Sequence, residues 1–167
     1  MFSFSLLFLP LPLFFHVASG LLNVSVDDTD MSMITYEGTW DPASSHKSSL
    51  DFGGSHTLST DGAANATFKF TGVAVYYLAP RWPYAVNTEL TLDGGKSVIV
   101  NLTDPDASTT VSGGSESAEW SVAWSATGLS NSTHNLFLSM APGGDVIVAD
   151  GFMCVPSSHS SVIANPL

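Results

Sequence analysis

Phe68-Lys69-Phe70-Thr71-Gly72-Val73-Ala74-Val75-Tyr76-Tyr77 alternates large apolar side chains with polar or small ones, breaks at Thr71-Gly72, and resumes. Residues two apart share one face of a strand, so a period of two marks a strand with one buried side. The pattern recurs along the chain. Glu89-Leu90-Thr91-Leu92 runs into Asp93-Gly94-Gly95, a tight-turn sequence, and Ser97-Val98-Ile99-Val100-Asn101-Leu102 carries the chain back as a hairpin. Trp120-Ser121-Val122-Ala123-Trp124 sets Trp120, Val122 and Trp124 on one face. Residues 135–140 and 145–149 follow as strands around Ala141-Pro142-Gly143-Gly144, and a first strand region runs from Met33 to Trp40. No window carries a sustained 3.6-residue apolar repeat with caps. Short strands punctuated by turns predict an all-β chain, an antiparallel β-sandwich of the jelly-roll type with about eight strands. The expected core includes Phe68, Phe70, Val75, Leu90, Leu92, Val122, Leu136 and Val148, with Trp120 and Trp124 also inside.

The chain has 167 residues, and its first fifteen or so, MFSFSLLFLPLPLFF, are almost wholly apolar. A membrane-spanning helix needs about 20 such residues. This run is shorter, Pro10 and Pro12 interrupt it, and Val17-Ala18-Ser19-Gly20 supplies small residues of the kind signal peptidase cuts after. No Lys or Arg precedes it, so the terminal amine alone supplies positive charge. Residues 1–20 therefore read as a signal peptide, 21–155 as one β-sandwich domain, and 156–167 as a polar, flexible tail without the apolar stretch of a GPI signal. A secretory route makes four Asn-x-Ser/Thr sequons usable for glycosylation, at Asn23, Asn65, Asn101 and Asn131. All four side chains are expected to face solvent, with Asn131 in a turn.

Charged residues make up 11% of the chain, well below the roughly 25% of an ordinary soluble domain. Only Lys47, Lys69, Arg81 and Lys96 are basic against 15 acids, giving a formal charge of −11. That balance argues against nucleic acid and anionic membrane surfaces as partners, since both require cationic patches. Cys154 is the single cysteine, so no internal disulfide forms. It sits in an apolar run and reads as a small buried hydrophobe.

Ser, His and Asp are all present, but there is no Gly-x-Ser-x-Gly elbow and no His-x-x-x-His or Cys-x-x-Cys pattern. Carboxylate pairs such as Glu37 with Glu89 carry no spacing signal for glycoside hydrolysis. The chain is read as noncatalytic. Asp27, Asp28 and Asp30 crowd the first strand and Asp150 lies near the last. Terminal strands often pair in a jelly roll, so these acids could meet and hold a structural Ca²⁺ through oxygen ligands; the plainer reading is that they cap turns. Beyond calcium no cofactor is expected. The segment Arg81-Trp82-Pro83-Tyr84 joins two strands, and two readings of it stand. Either Arg81, Trp82 and Tyr84 project as a sugar-binding loop stiffened by Pro80 and Pro83, or Trp82 folds back over the open end of the core.

An ordered series of motifs carries a resemblance. Val26-Asp27-Asp28-Thr29-Asp30 precedes Ile34-x-Tyr36-x-Gly38-x-Trp40, then Gly53-Gly54-Ser55-His56-x-Leu58-Ser59-Thr60-x-Gly62-Ala63. Ala66-Thr67-Phe68-x-Phe70-Thr71-Gly72-x-Ala74-Val75-Tyr76, Leu92-Asp93-Gly94-Gly95, Gly128-Leu129-x-Asn131-x-Thr133-His134-x-Leu136 and Asp150-Gly151-Phe152 follow. Over about residues 23–155 this resembles galactose-binding-like jelly-roll domains of secreted and cell-surface proteins of basidiomycete fungi. The resemblance implies a cell-wall-associated module, although many of the fungal relatives continue into a Ser/Thr linker and a membrane helix; the apolar head implies secretion, and the mature chain is expected to be an extracellular monomer without a membrane span. Cell-wall polysaccharide would be its partner, and His134 a framework residue. One departure is Tyr77-Leu78 where the family often has Gly. The alternative to a glycan-binding module is a structural or adhesive surface glycoprotein with no small-sugar pocket.

Overall fold

The computed structural model describes residues 22–108 and 114–157. The expected signal peptide and the tail from residue 158 onward lie outside the described residues. The strands are β1 (Val24–Asp27), β2 (Ile34–Glu37), β3 (Thr57–Ser59), β4 (Asn65–Arg81), β5 (Asn87–Leu92), β6 (Val98–Asn101), β7 (Ala118–Met140), β8 (Ile147–Ala149) and β9 (Gly151–Val155). Among the described residues every pairing between these strands is antiparallel, and an isolated bridge between Trp82 and Thr103 is parallel. The only helical pieces among the described residues are 3₁₀ turns at Ala43–Ser45 and Phe52–Gly54. None of them is long and apolar enough to cross a membrane.

Two long strands build the sandwich. The first half of β4 pairs with β2 and with the second half of β7, which continues to β5 and β6. The second half of β4 pairs with the first half of β7 and with β9, which continues to β1. Phe68 and Tyr77 are nine residues apart, about 30 Å along a straight strand. Phe152, the strand partner of Tyr77, nevertheless stacks on Phe68 with ring centroids 4.5 Å apart. Strand β4 must therefore turn back over itself, so that its two halves lie in opposing layers with Phe68, Phe70, Val75, Tyr77, Leu90, Leu136, Leu138 and Phe152 between them. Strands β3 and β8 form a separate pair, with Ile147, Val148 and Ala149 all buried. The Tyr77 hydroxyl donates to the Val148 carbonyl at 2.8 Å.

The turn in β4 falls at the break in the apolar alternation. Register slips between Gly72 and Ala74, and residues 128–131 of β7 have no register partner on β4 there. A Cβ on Gly72 would stand 2.4 Å from the Val155 carbonyl oxygen. Gly72 is thus required by close backbone approach. Gly72→Ala should destabilise by about 1–3 kcal/mol, as overpacking does, read as a lower urea midpoint. An unchanged midpoint would mean the β9 terminus moves aside freely.

The hairpin is as expected, with Asp93 and Gly94 both at positive φ in its turn. His134 ties that turn to β7, its Nδ1 2.6 Å from Asp93 Oδ2 and its Nε2 2.8 Å from the Ser130 carbonyl. Those two acceptors, the carbonyl first, raise its pKa. Cys154 is buried, and burial raises its thiol pKa.

The core differs from expectation at β7. Val122 is 49% exposed and Trp120 36% exposed, whereas Trp124 packs against the core. Tyr77 pairs with Trp124 and Leu78 with Val122, so Ala123 is an extra residue on β7. A bulge of one residue reverses which face each side chain takes, so Trp124 goes inward and Val122 outward. Trp120 packs edge-to-face on Phe52 at 5.1 Å instead.

Candidate functional site

The site region is built where β1, β9 and the segment between β2 and β3 meet. Strand β1 runs beside β9, with Asp27 opposite Gly151 and Asp28 N–H donating to the Asp150 carbonyl at 2.9 Å. Asp28 and Asp150 are both fully buried. The 3₁₀ turn at Phe52–Gly54 closes over them. Phe52 N–H donates to Asp150 Oδ2 at 3.0 Å. Gly53, at φ 71, lies so close to Asp27 that a Cβ there would overlap its carboxylate. Gly151 is equally constrained, because a Cβ would meet the Phe52 ring at 2.6 Å. Asp51, at the start of this turn, adds a third buried carboxylate.

Burial drives these acids toward the neutral form. It pushes the Asp150 pKa up to about 9, with the neighbouring Asp51, Asp28 and Asp27 charges adding to it. Burial likewise raises Asp28 to about 7, partly offset by the Thr57 hydroxyl donating to Asp28 Oδ2 at 2.5 Å. Asp51 is also raised by burial. Asp28 Oδ1, Asp51 Oδ1 and Asp150 Oδ1 are all buried without a hydrogen-bond partner. Buried polar atoms are normally satisfied, and an all-oxygen set suits Ca²⁺. Asp28 and Asp150 can offer a hard divalent cation two buried oxygens, but among the described residues neither Asp27 nor Asp51 joins them as a third converging ligand. A cation there would supply the counter-charge that lets the buried carboxylates ionise. Asp30 does not join them. Its Oδ1 accepts from Ser32 N–H at 2.9 Å and from the Ser32 hydroxyl, the turn-capping role, and these bonds lower its pKa.

Asp28 also lines a cavity of about 360 Å³ with Thr29, Met31, Tyr36, Trp40 and Thr57. Tyr36 and Trp40 meet edge-to-face at 4.9 Å. Both rings are pinned by backbone acceptors: Tyr36 Oη donates to the Asp28 carbonyl at 2.8 Å and Trp40 Nε1 to the Glu37 carbonyl at 2.9 Å. A second cleft, of about 340 Å³, lies between the first long loop and the segment before β7; His46, His56, Trp82, Tyr84 and Glu116 line it.

The Arg81–Tyr84 segment does not project. Trp82 is 4% exposed. Its N–H donates to the Leu102 carbonyl and its carbonyl accepts from Asp104 N–H, so the ladder holds it against the core. Arg81 Nη1 donates to the Thr103 carbonyl at 3.3 Å, and Tyr84 Oη donates to the Gly114 carbonyl at 2.8 Å. Trp82 is the folded-back ring, and no face of it is free to stack on a sugar.

The sequons lie at the surface. Asn23, Asn101 and Asn131 are exposed, Asn131 lying within β7 rather than in the expected turn, whereas Asn65 departs from the expected solvent-facing position, half-buried with its amide donating to Glu37 Oε2 at 3.2 Å.

No family model and no curated protein matches the chain. Among solved structures, an exo-β-1,3-galactanase from Phanerochaete chrysosporium with galactose aligns with a TM-score of 0.52 and 14% identity, over 81% of this chain and 30% of that one. A single-substitution variant of that galactanase with β-1,3-galactotriose gives 0.51 and 12%, over 78% of this chain and 29% of that one. A xanthan lyase from Paenibacillus gives 0.51 and 19%, over 81% of this chain and 13% of that one. The chain thus spans less than a third of each of these proteins. At these identities the likeness is one of fold, a β-sandwich found in carbohydrate-active enzymes.

Proposed function

We propose that the chain is a secreted, noncatalytic carbohydrate-binding module that holds a neutral sugar unit in the Tyr36–Trp40 cavity. The observation that carries this reading is the cavity itself. At about 360 Å³ it falls within the range of small-ligand sites. Two fixed aromatic rings wall it, and Asp28 presents a buried oxygen that lacks a partner. Aromatic faces cover the C–H surface of a pyranose, while its hydroxyls need fixed polar groups such as Asp28 and Thr57. A formal charge of −11 favours neutral sugars over uronates. The fold shared with carbohydrate-active proteins and the galactose-binding-like motif series support the same class, although fold alone does not establish function. A structural or adhesive role is the second reading, supported by Trp120 and Val122 on the outer face of β7.

A glycan array, with pull-down on chitin, β-glucan and mannan, tests the proposal. Trp40→Ala should reduce retention on the preferred glycan at least about tenfold, the loss of roughly one aromatic contact, with an unchanged far-UV circular dichroism spectrum. Trp82→Ala should instead cost about 3–5 kcal/mol of stability. If no neutral glycan is retained, or Trp40→Ala binds like the parent, the cavity is not a sugar site and the adhesive reading gains.

A further inference from the structure

The second cleft contains a cluster of a different chemistry from the acidic junction. Asp51 begins the 3₁₀ turn at Phe52–Gly54, His56 stands immediately before β3, and Glu116 comes from the segment leading into β7. Asp51 and His56 come from the one segment between β2 and β3, and Glu116 joins them from far along the chain. His56 Nδ1 lies 3.0 Å from Asp51 Oδ2 and 3.3 Å from Glu116 Oε1, and one donor atom from each residue falls within 4.8 Å of the others. The three side chains are 0%, 4% and 6% exposed for Asp51, His56 and Glu116.

As a hydrogen-bonded set this arrangement is incomplete. One imidazole nitrogen faces two carboxylates, and Asp51 Oδ1 is buried without a partner. His46 stacks on His56 with ring centroids 5.0 Å apart. Its Nε2 is also buried without a hydrogen bond, 3.7 Å from Asp41 Oδ2. Trp82 meets the His56 ring edge-on at 5.5 Å and holds it in place.

Zinc binds imidazole nitrogen and carboxylate oxygen at about 2.0–2.2 Å in a tetrahedron, which sets neighbouring donors about 3.3–3.5 Å apart. The separations around His56 Nδ1 are already close to that. A nitrogen donor distinguishes this set from an oxygen-only calcium site. We propose that Asp51, His56 and Glu116 bind a zinc-class divalent cation, with the fourth coordination position facing the cleft that His46 also lines. Lys47 lines the same cleft and is the nearby charge that opposes binding. This proposal does not depend on the sugar-binding reading, which concerns the Tyr36–Trp40 cavity.

The test uses chelator-stripped protein titrated with Zn²⁺ by calorimetry and with Co²⁺ by visible absorption. The parent should bind about one equivalent, raise its thermal midpoint with Zn²⁺, and develop the intense d–d bands of four-coordinate Co²⁺. Glu116→Gln should weaken binding at least about tenfold, and His56→Gln should abolish the Co²⁺ bands. Asp150→Asn, outside the cluster, should retain them. Should His56→Gln fail to fold, Glu116→Gln and the shift of the His56 ring resonances on Zn²⁺ addition decide the matter. Absence of Zn²⁺ binding by the parent overturns the proposal, and so does equal binding by parent and Glu116→Gln, or His56 resonances that Zn²⁺ leaves in place.

Discussion

Phe68→Ala should lower folding stability by about 3–5 kcal/mol, the range for deleting a buried aromatic ring. Phe68 is fully buried and stacks on Phe152 at 4.5 Å and on Phe70 at 5.4 Å. It is the ring through which one layer of the sandwich touches the other. Ile34 and Leu136 hold its backbone from both sides by strand pairing, so neither wall can collapse into the gap. A domain of this size is stable by only about 5–15 kcal/mol, and the single free cysteine leaves no disulfide to compensate. Urea unfolding should show a large fall in midpoint with an unchanged slope. Val122→Ala is the matched comparison. At 49% exposure it should change stability by no more than about 0.5 kcal/mol. Equal costs for the two would contradict the layer assignment.

That comparison marks how far the sequence could be read. The alternation at Phe68–Tyr77 and the turn at Asp93-Gly94 located strands and hairpin correctly, because period and turn chemistry are local. The meeting of Asp28 with Asp150 was also legible, since pairing of the terminal strands follows from the jelly-roll topology. Val122 was misplaced because a bulge is set by the partner strand and leaves no mark in a short alternating window. Trp82 was ambiguous for a similar reason: its loop is drawn in by backbone bonds to Leu102 and Asp104, twenty and twenty-two residues further along the chain. Asp51, His56 and Glu116 were missed altogether. They sit in two polar, Ser-rich loops with no ligand spacing, 65 residues apart between Asp51 and Glu116. The one available signal was Gly53-Gly54 beside Asp51, since two adjacent glycines at positive φ announce a tight turn against something close.

Removing divalent cations should make the protein lose stability as pH rises. Asp150 is pushed up to about 9 and Asp28 to about 7 in the fold, from an ordinary 3.8. An acid whose folded pKa is raised holds its proton in the native state while the unfolded chain has released it. The native state then binds more protons than the unfolded one, and stability falls with pH by about 1.4 kcal/mol per pH unit for each such proton. The fall begins above the ordinary carboxylate pKa, near 4, and ends as pH passes the folded values, 7 for Asp28 and 9 for Asp150. In chelator, thermal midpoints should therefore decline steadily between those limits. Calcium should oppose that decline, since it favours the ionised carboxylates, and at a hundredfold excess over its dissociation constant it adds about 2.7 kcal/mol. The gap between calcium and chelator curves should widen toward neutral and alkaline pH. Asp150→Asn should make the chelator curve shallower and flatten it above pH 7, where Asp28 has already ionised, and should remove the calcium response, because the amide can still accept from Phe52 N–H but cannot ionise. Asp30→Asn, in its separate turn, should leave the calcium response intact. Coincident midpoints with calcium and chelator across the whole range would show that the junction holds protons alone and no cation.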